Sequence, residues 1–429
     1  MKAASALTRR EAVAIAAGAS KAFAANDQIN LGVIGLGIRG TQVMENFKRI
    51  PGVNIAAAAD IYDGHLKAVR EATRADLPVT RNYEEVLARK DVDAVMIAVP
   101  DHWHAKMALD ALSVGKDVYL EKPMTWNIEQ GLEVRKAVDS SKKILQVGSG
   151  EGSSATALKA REMIKAGALG KVTMIRLSNN RNTPEGAWVY PIPPDASSKT
   201  IDWTRFLGPA PQRPFDPKVF FRWRCWWEYS GGVATDLFVH LLTFVHGVMG
   251  VKGPKSVVSQ GGLYKWKDGR TVPDVMNSIF EYNEGFIADM YVNLCNGRPG
   301  EPFTIMGTDA TLVFESTRGN DGKLMLYPEP EPPPVQRYGS IGWPTEMRDR
   351  YLKSASTTRP ERKKPEEIIV EAGPTQQESF IECLRTRKQP MEDAFAGFSA
   401  CGAAFLANMA YRNGRRMSWE VATGKVLEA

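Results

Sequence analysis

Between Gln28 and about Gly148 the chain alternates short apolar runs with stretches of helical spacing, the pattern of a parallel sheet whose strands are joined by helices. The runs Ile29–Ile34, Val53–Ala59, Ala94–Val99, Asp117–Leu120 and Ile144–Val147 predict strands. Helical stretches at His65–Arg74, Ala105–Val114 and Ile128–Ser140, with a further start at Asn82–Leu87, complete six βα steps. Beyond Gly148 the texture changes. A helix over Ala155–Lys165 and a strand over Val172–Leu177 lead into an irregular Pro- and Trp-rich stretch that reaches Trp227. Strand-like runs then follow one another at Ser256–Ser259, Met276–Tyr282, Phe286–Val292, Phe303–Gly307 and Thr311–Phe314, which predicts a mainly antiparallel open sheet in an α+β unit. Residues 328–366, with Pro328, Pro330 and Pro332–Pro334, read as a surface excursion, and helices over Gln376–Arg387 and Phe395–Asn413 close the chain. The expected fold class is α/β, with boundaries at residues 26–150 and 151–429.

The first predicted strand ends in Gly35-Leu36-Gly37-Ile38-Arg39-Gly40, a G-x-G-x-x-G turn that opens a helix. That order is the dinucleotide-binding fingerprint of a Rossmann sheet. Gly35 permits the tight turn, Gly37 lets the backbone approach a pyrophosphate, Gly40 lets the helix pack on the sheet, and the helix N-terminus offers free N–H groups. The second predicted strand ends in Asp60, twenty residues beyond Gly40, where an acid holds ribose hydroxyls and repels a 2′-phosphate. NAD is therefore expected over NADP, with Ile38 and Arg39 flanking the phosphates and Arg39 as the residue able to reverse the preference. The next strand ends run into Pro100-Asp101-His102-Trp103-His104 and Glu121-Lys122-Pro123. Pro100, His102, His104, Glu121 and Lys122 are accordingly expected at the cofactor crevice. His102 and His104 have the spacing of a metal pair but no third ligand nearby, so cofactor packing is the expectation and no metal is assigned.

Asp236 and His240 stand four residues apart, which on a helix puts them on one face. Histidine has the pKa suited to proton transfer near neutral pH, with Asp236 on the same face to orient or polarise it. Trp223, Trp226 and Trp227 stand before Gly231-Gly232, where aromatic faces suit a sugar ring or core packing alike. His65, on a polar helix, and His246, in an apolar run, receive no role.

A length of 429 residues fits two domains. The formal charge of +6 is concentrated at the front, where Lys2, Arg9, Arg10 and Lys21 against Glu11 contribute +3, so no nucleic-acid footprint remains. Cys225, Cys295, Cys383 and Cys401 lie far apart and suggest neither disulfides nor a metal. Residues 1–25, with Arg9-Arg10, an Ala/Gly-rich run and Ala22-Phe23-Ala24, resemble a twin-arginine export leader, which implies the periplasm. A disordered tail on a cytoplasmic protein is the alternative. No run approaches the ~20 apolar residues that span a bilayer, so no membrane anchoring is expected.

Taken together, the glycine turn, Asp60, P-D-H-W-H and E-K-P resemble the Gfo/Idh/MocA oxidoreductases. Asp202-Trp203-Thr204-Arg205-Phe206-Leu207-Gly208-Pro209-Ala210 and Gly231-Gly232-Val233-Ala234-Thr235-Asp236-Leu237-Phe238-Val239-His240 are similar to the opening of that family's substrate domain and its G-G-x-x-x-D-x-x-x-H helix. The resemblance spans residues 28–429 apart from the Pro-rich excursion. It implies hydride transfer between nicotinamide and a carbinol carbon of a sugar or polyol, with Lys122, Asp236 and His240 as the catalytic group. It also implies a homo-oligomer, dimer or tetramer, built on the open sheet. Some relatives are glycosidases that oxidise the sugar transiently and return the hydride, and a cofactor-bound protein without turnover is the third reading.

Overall fold

The apolar run Ile29–Ile34 forms β1 and enters the Gly35 turn at a φ of +88°, a left-handed conformation open to glycine. In a computed structural model of the protein, which describes residues 28–300, 302–315, 322–330, 337–354 and 363–428, five further strands join β1 in a parallel sheet. These are β2 (Val53–Ala59), β3 (Val79–Thr80), β4 (Ala94–Ile97), β5 (Asp117–Glu121) and β6 (Leu145–Gly148), in the order β3-β2-β1-β4-β5-β6. Helices α1 (Ile38–Lys48), α2 (Asp63–Ala72), α3 (Tyr83–Leu87), α4 (Asp101–Ser113) and α5 (Ile128–Ser141) connect them. The expected leader, residues 1–25, lies outside the described residues.

The helix starts are not equivalent. Asn82 caps α3 through Glu84 N–H and Asn127 caps α5 through Gln130 N–H, whereas α1, α2 and α4 begin without a side-chain cap. Those uncapped helices start at the C-terminal ends of β1, β2 and β4, and the strand order reverses between β1 and β4, the place where ligands bind in an open α/β sheet. Helix α4 begins at Asp101, four residues before the expected start at Ala105, so His102 and His104 lie inside its first turns. Pro100 at the cap and Asp101 in the first turn account for the early start, by a fixed φ and by the helix dipole. Strand β3 has two residues, too short to leave a pattern in the sequence.

The second sheet carries ten strands in the order β14-β13-β12-β11-β7-β10-β9-β8-β15-β16. Its members are β7 (Val172–Asn180), β8 (Ser256–Gly262), β9 (Val275–Glu281), β10 (Ile287–Asn293), β11 (Thr304–Gly307), β12 (Ala310–Phe314), β13 (Gly322–Pro328), β14 (Glu366–Val370), β15 (Met417–Glu420) and β16 (Lys425–Glu428). All pairs are antiparallel except β7 with β10. Helices α6 (Ala155–Lys165), α7 (Trp203–Leu207), α8 (Pro217–Phe221), α9 (Val239–Met249), α10 (Thr345–Ser354), α11 (Gln376–Thr386) and α12 (Ala394–Asn413) complete the chain. The chain therefore closes on a two-stranded hairpin rather than on a helix, and the excursion is bounded by strands, with Pro328 paired to Ala310. Such short, half-polar edge strands carry too little alternation to stand out. Helix α12 is long and apolar enough to cross a membrane, and 78% of its apolar window is buried inside the protein, as befits a core helix.

The glycines of the first turn differ in what surrounds them. A Cβ at Gly40 meets the Gly35 carbonyl oxygen at 2.0 Å, whereas one at Gly37 meets nothing nearer than His65 Cε1 at 4.0 Å. Gly40→Ala is therefore expected to destabilise the fold by about 1–3 kcal/mol, read as a fall of several degrees in the thermal midpoint. Gly37→Ala is expected to leave that midpoint nearly unchanged.

Candidate active site

A cavity of about 1120 Å³ opens along the C-terminal ends of the parallel strands and runs to the second sheet. Gly35, Gly37, Ile38, Arg39 and Gly40 line one end, with Asp60 beside them. The open space over Gly37 and the uncapped start of α1 make the cradle that a dinucleotide pyrophosphate needs. Asp60 is pinned in place, since its Oδ2 accepts from Leu36 N–H at 2.7 Å and its Oδ1 from Tyr62 N–H at 2.9 Å. His65 Nδ1 lies 3.1 Å from Asp60 Oδ2. Burial opposes the charge on Asp60, but His65 and the two N–H donors outweigh it and hold the carboxyl below its usual range. His65, to which the sequence assigned no role, thus supports the ribose-side acid and lines the cavity. Arg39 Nε donates to Glu121 Oε1 at 2.9 Å, joining the glycine turn to the end of β5.

The centre of the cavity holds Lys122, Asp236 and His240. Lys122 Nζ donates to Asp236 Oδ1 and to the Asp236 carbonyl, each at 2.8 Å. Arg224 Nε reaches the same Oδ1 at 2.9 Å, and the Trp188 indole N–H donates to Oδ2 at 3.1 Å. Burial alone raises the pKa of Asp236, yet the two cations more than compensate, so this carboxyl stays far below the usual range and ionised. Trp188 holds a φ of 63°, which costs a non-glycine residue about 1–2 kcal/mol, and its N–H bond to Asp236 is part of what holds it there.

His240 does not meet Asp236. Its Nδ1 lies 2.8 Å from Glu151 Oε2 instead. Residues Ala234–Phe238 form a π-helical turn before α9, and the Asp236 carboxylate within it is taken up by Lys122, Arg224 and Trp188, away from the His240 ring. The expected contact between Asp236 and His240 is therefore corrected: the acid that stands against the ring is Glu151, on the loop after β6. Glu151, Trp188 and Arg224 carried no motif in the sequence.

Two further expectations change. His102 and His104 do not line the cavity. His102 Nε2 donates to the Phe206 carbonyl at 2.9 Å between the rings of Phe206 and Tyr229, and burial pushes its pKa down to about 4. His104 bridges the carbonyls of Val99 and Pro123, so it fastens the end of β4 to the turn after β5. Both sit in α4 and face the core, because the helix starts early. From that motif Pro100 and Trp103 reach the cavity. Of the three tryptophans before Gly231, Trp223 lines it, with the Arg224 guanidinium 4.1 Å from its ring.

Asp101 lies behind this cluster. It is 3% exposed, accepts from Thr235 Oγ1 at 3.3 Å, and burial pushes its pKa up to about 7, with Arg224 and Lys122 opposing. A carboxyl raised from its ordinary value of about 3.9 favours the fold while protonated, so this contribution is full below that value and is lost as pH rises through about 7. Asp101→Asn is expected to flatten the fall of thermal midpoint between mildly acidic and mildly alkaline buffer by a few degrees, as measured by calorimetry.

Comparison with known proteins agrees with this architecture. The model of an oxidoreductase family with an NAD-binding Rossmann fold matches residues 29–149, and that of the same family's C-terminal alpha/beta domain matches residues 161–419. A glycosyl hydrolase family 109 protein of Saccharopolyspora erythraea is 36% identical over 130 residues, 28% of this chain and 28% of that protein. An inositol 2-dehydrogenase of Rhodococcus erythropolis is 28% identical over 185 residues, 42% of this chain and 53% of that one. The chain thus matches about half or less of the length of these relatives. A levoglucosan dehydrogenase solved with NADH and levoglucosan shares the fold, with a TM-score of 0.66 at 14% identity, over 91% of this chain and 99% of that one. With its parallel sheet, its ten-stranded sheet and the cavity between them, the chain belongs to the Gfo/Idh/MocA oxidoreductase family.

Proposed function

We propose that the protein exchanges hydride between NAD and a carbinol carbon of a sugar or polyol. The observation that carries this reading is the convergence of Lys122, Asp236 and His240 on the cavity that begins at the glycine turn. A bound nicotinamide supplies the hydride acceptor. The glycine turn and the start of α1 would hold its phosphates, and Asp60 would meet its ribose hydroxyls. At the reacting carbon, His240 Nε2 takes the hydroxyl proton. The Lys122 ammonium stabilises charge that develops on the oxygen, and Asp236 fixes that ammonium in place. Trp223 offers a ring face and Arg181 a cationic edge to the rest of the sugar. NAD is favoured over NADP because Asp60 is ionised where a 2′-phosphate would sit, while Arg39 is taken up by Glu121. The relatives named for inositol and levoglucosan support the substrate class.

The glycosyl hydrolase family 109 relative supports a second reading, a glycosidase in which the same sugar takes the hydride back. The uncovered face of the ten-stranded sheet, where Val258 and Ile279 pair side by side and exposed, supports a homo-oligomer.

With free sugars, polyols and glycosides as probes, a dehydrogenase accumulates NADH in step with substrate consumed, whereas the glycosidase cleaves a glycoside with no net NADH. Lys122→Ala and His240→Ala are each expected to lower turnover by about 10²–10⁴ with nucleotide affinity retained. In titrations of nucleotide-free protein, NAD is expected to bind more tightly than NADP, and tighter NADP binding would remove the role given to Asp60.

A further inference from the structure

We propose that Glu151 is the positioning residue of His240, holding the imidazole with its proton on Nδ1 and its lone pair on Nε2 toward the cavity, and that Glu392 fixes the loop that delivers it. This rests on the reading of His240 as the group that takes the substrate proton.

Three observations carry the proposal. The first is the contact itself: Glu151 Oε2 stands 2.8 Å from His240 Nδ1, and both side chains line the cavity. A carboxylate is an acceptor, so the ring nitrogen facing it carries the proton, and a neutral imidazole then presents its other nitrogen as an acceptor. The second is that, among the described residues, the acid hydrogen-bonded to this ring is Glu151. The Asp236 carboxylate is taken up by Lys122, Arg224 and Trp188.

The third is the way the loop is built. Residues 149–153 wrap around the buried carboxyl of Glu392, which accepts from Gly150 N–H at 2.5 Å, Ser153 N–H at 3.2 Å, Ser153 Oγ at 3.1 Å and Ser149 Oγ at 3.4 Å. The Glu392 carbonyl in turn accepts from Val147 N–H at 2.9 Å, so backbone and side chain hold the end of β6 together. Gly150 has a φ of +77°, and a Cβ there lands 1.4 Å from Gln376 Nε2, leaving glycine as the residue that fits. The loop after β6 is thereby locked, and Glu151 projects from it with its reach to His240 already set.

The test reads the ring tautomer directly. The chain contains five histidines, so protein labelled with ¹⁵N-histidine gives a small set of ring signals, and His240→Gln identifies the one of interest. Above neutral pH and without substrate, His240 in the wild type is expected as the Nδ1–H tautomer. In Glu151→Ala it is expected to shift toward the Nε2–H form that free imidazole side chains prefer. Glu151→Gln, of the same shape, keeps the comparison informative if the alanine variant folds poorly. With a sugar or polyol that the wild type oxidises, Glu151→Ala is expected to lose about 10²-fold in kcat at nearly unchanged KM, and Glu151→Asp or added formate to restore part of it. An unchanged tautomer in both Glu151→Ala and Glu151→Gln, or an unchanged kcat in either, would overturn the proposal. A shifted tautomer alongside an active His240→Ala variant would instead overturn the catalytic role of His240.

Discussion

At the heart of the site, the buried Asp236 carboxylate is met by two cations and an indole N–H. A buried carboxylate must be paired, and here its partners come from Lys122 at the end of the parallel sheet and Arg224 in the segment before α9. With two cations on one carboxylate, loss of either still leaves the other beside Asp236. The ion pairs that join the end of the parallel sheet to the segment before α9 also place the Lys122 ammonium in the cavity. Stability and chemistry share one set of atoms.

Around that cluster the ionisable groups are driven apart in character by their surroundings. Asp236 is kept ionised by its cations, whereas burial pushes Asp101 and Glu392 each up to about 7, with the charge of Glu151 adding to the effect on Glu392. His102 and His246 are kept neutral by burial, at about 4 and about 3. His240 differs from both in lining the cavity beside an acid. Such separation is how a site assigns acids and bases among chemically similar side chains.

At the other end of the cavity the same economy holds. The Asp60 carboxylate accepts from Leu36 N–H inside the glycine turn, so the acid at the end of β2 also shapes the turn after β1. Glu121 does likewise, since it holds Arg39 at the start of α1 while its neighbour Lys122 enters the ion cluster. The ends of β2 and β5 therefore each serve two parts of the cavity wall.

The glycine turn, Asp60, the end of β5, the Asp236–His240 segment and the alternation of strand and helix behind them were legible in the order of residues alone. Those features are local: a glycine at a fixed offset, or an apolar run that stops at a polar residue, acts within a turn or two of chain. The tertiary structure decided the rest, because the partners are far apart along the chain. Trp188 lies 48 residues from Asp236, Glu151 lies 89 from His240, and Lys122 lies 114 from Asp236. Periodicity tells which face of an element is buried, not which distant side chain it meets, so Glu151, Trp188 and Arg224 were invisible as site residues. His102 and His104 show the converse. Their spacing pointed to the crevice, but α4 begins at Asp101 and turns both rings toward backbone carbonyls in the core, because a helix start is set by its cap and its packing rather than by where the apolar run ends.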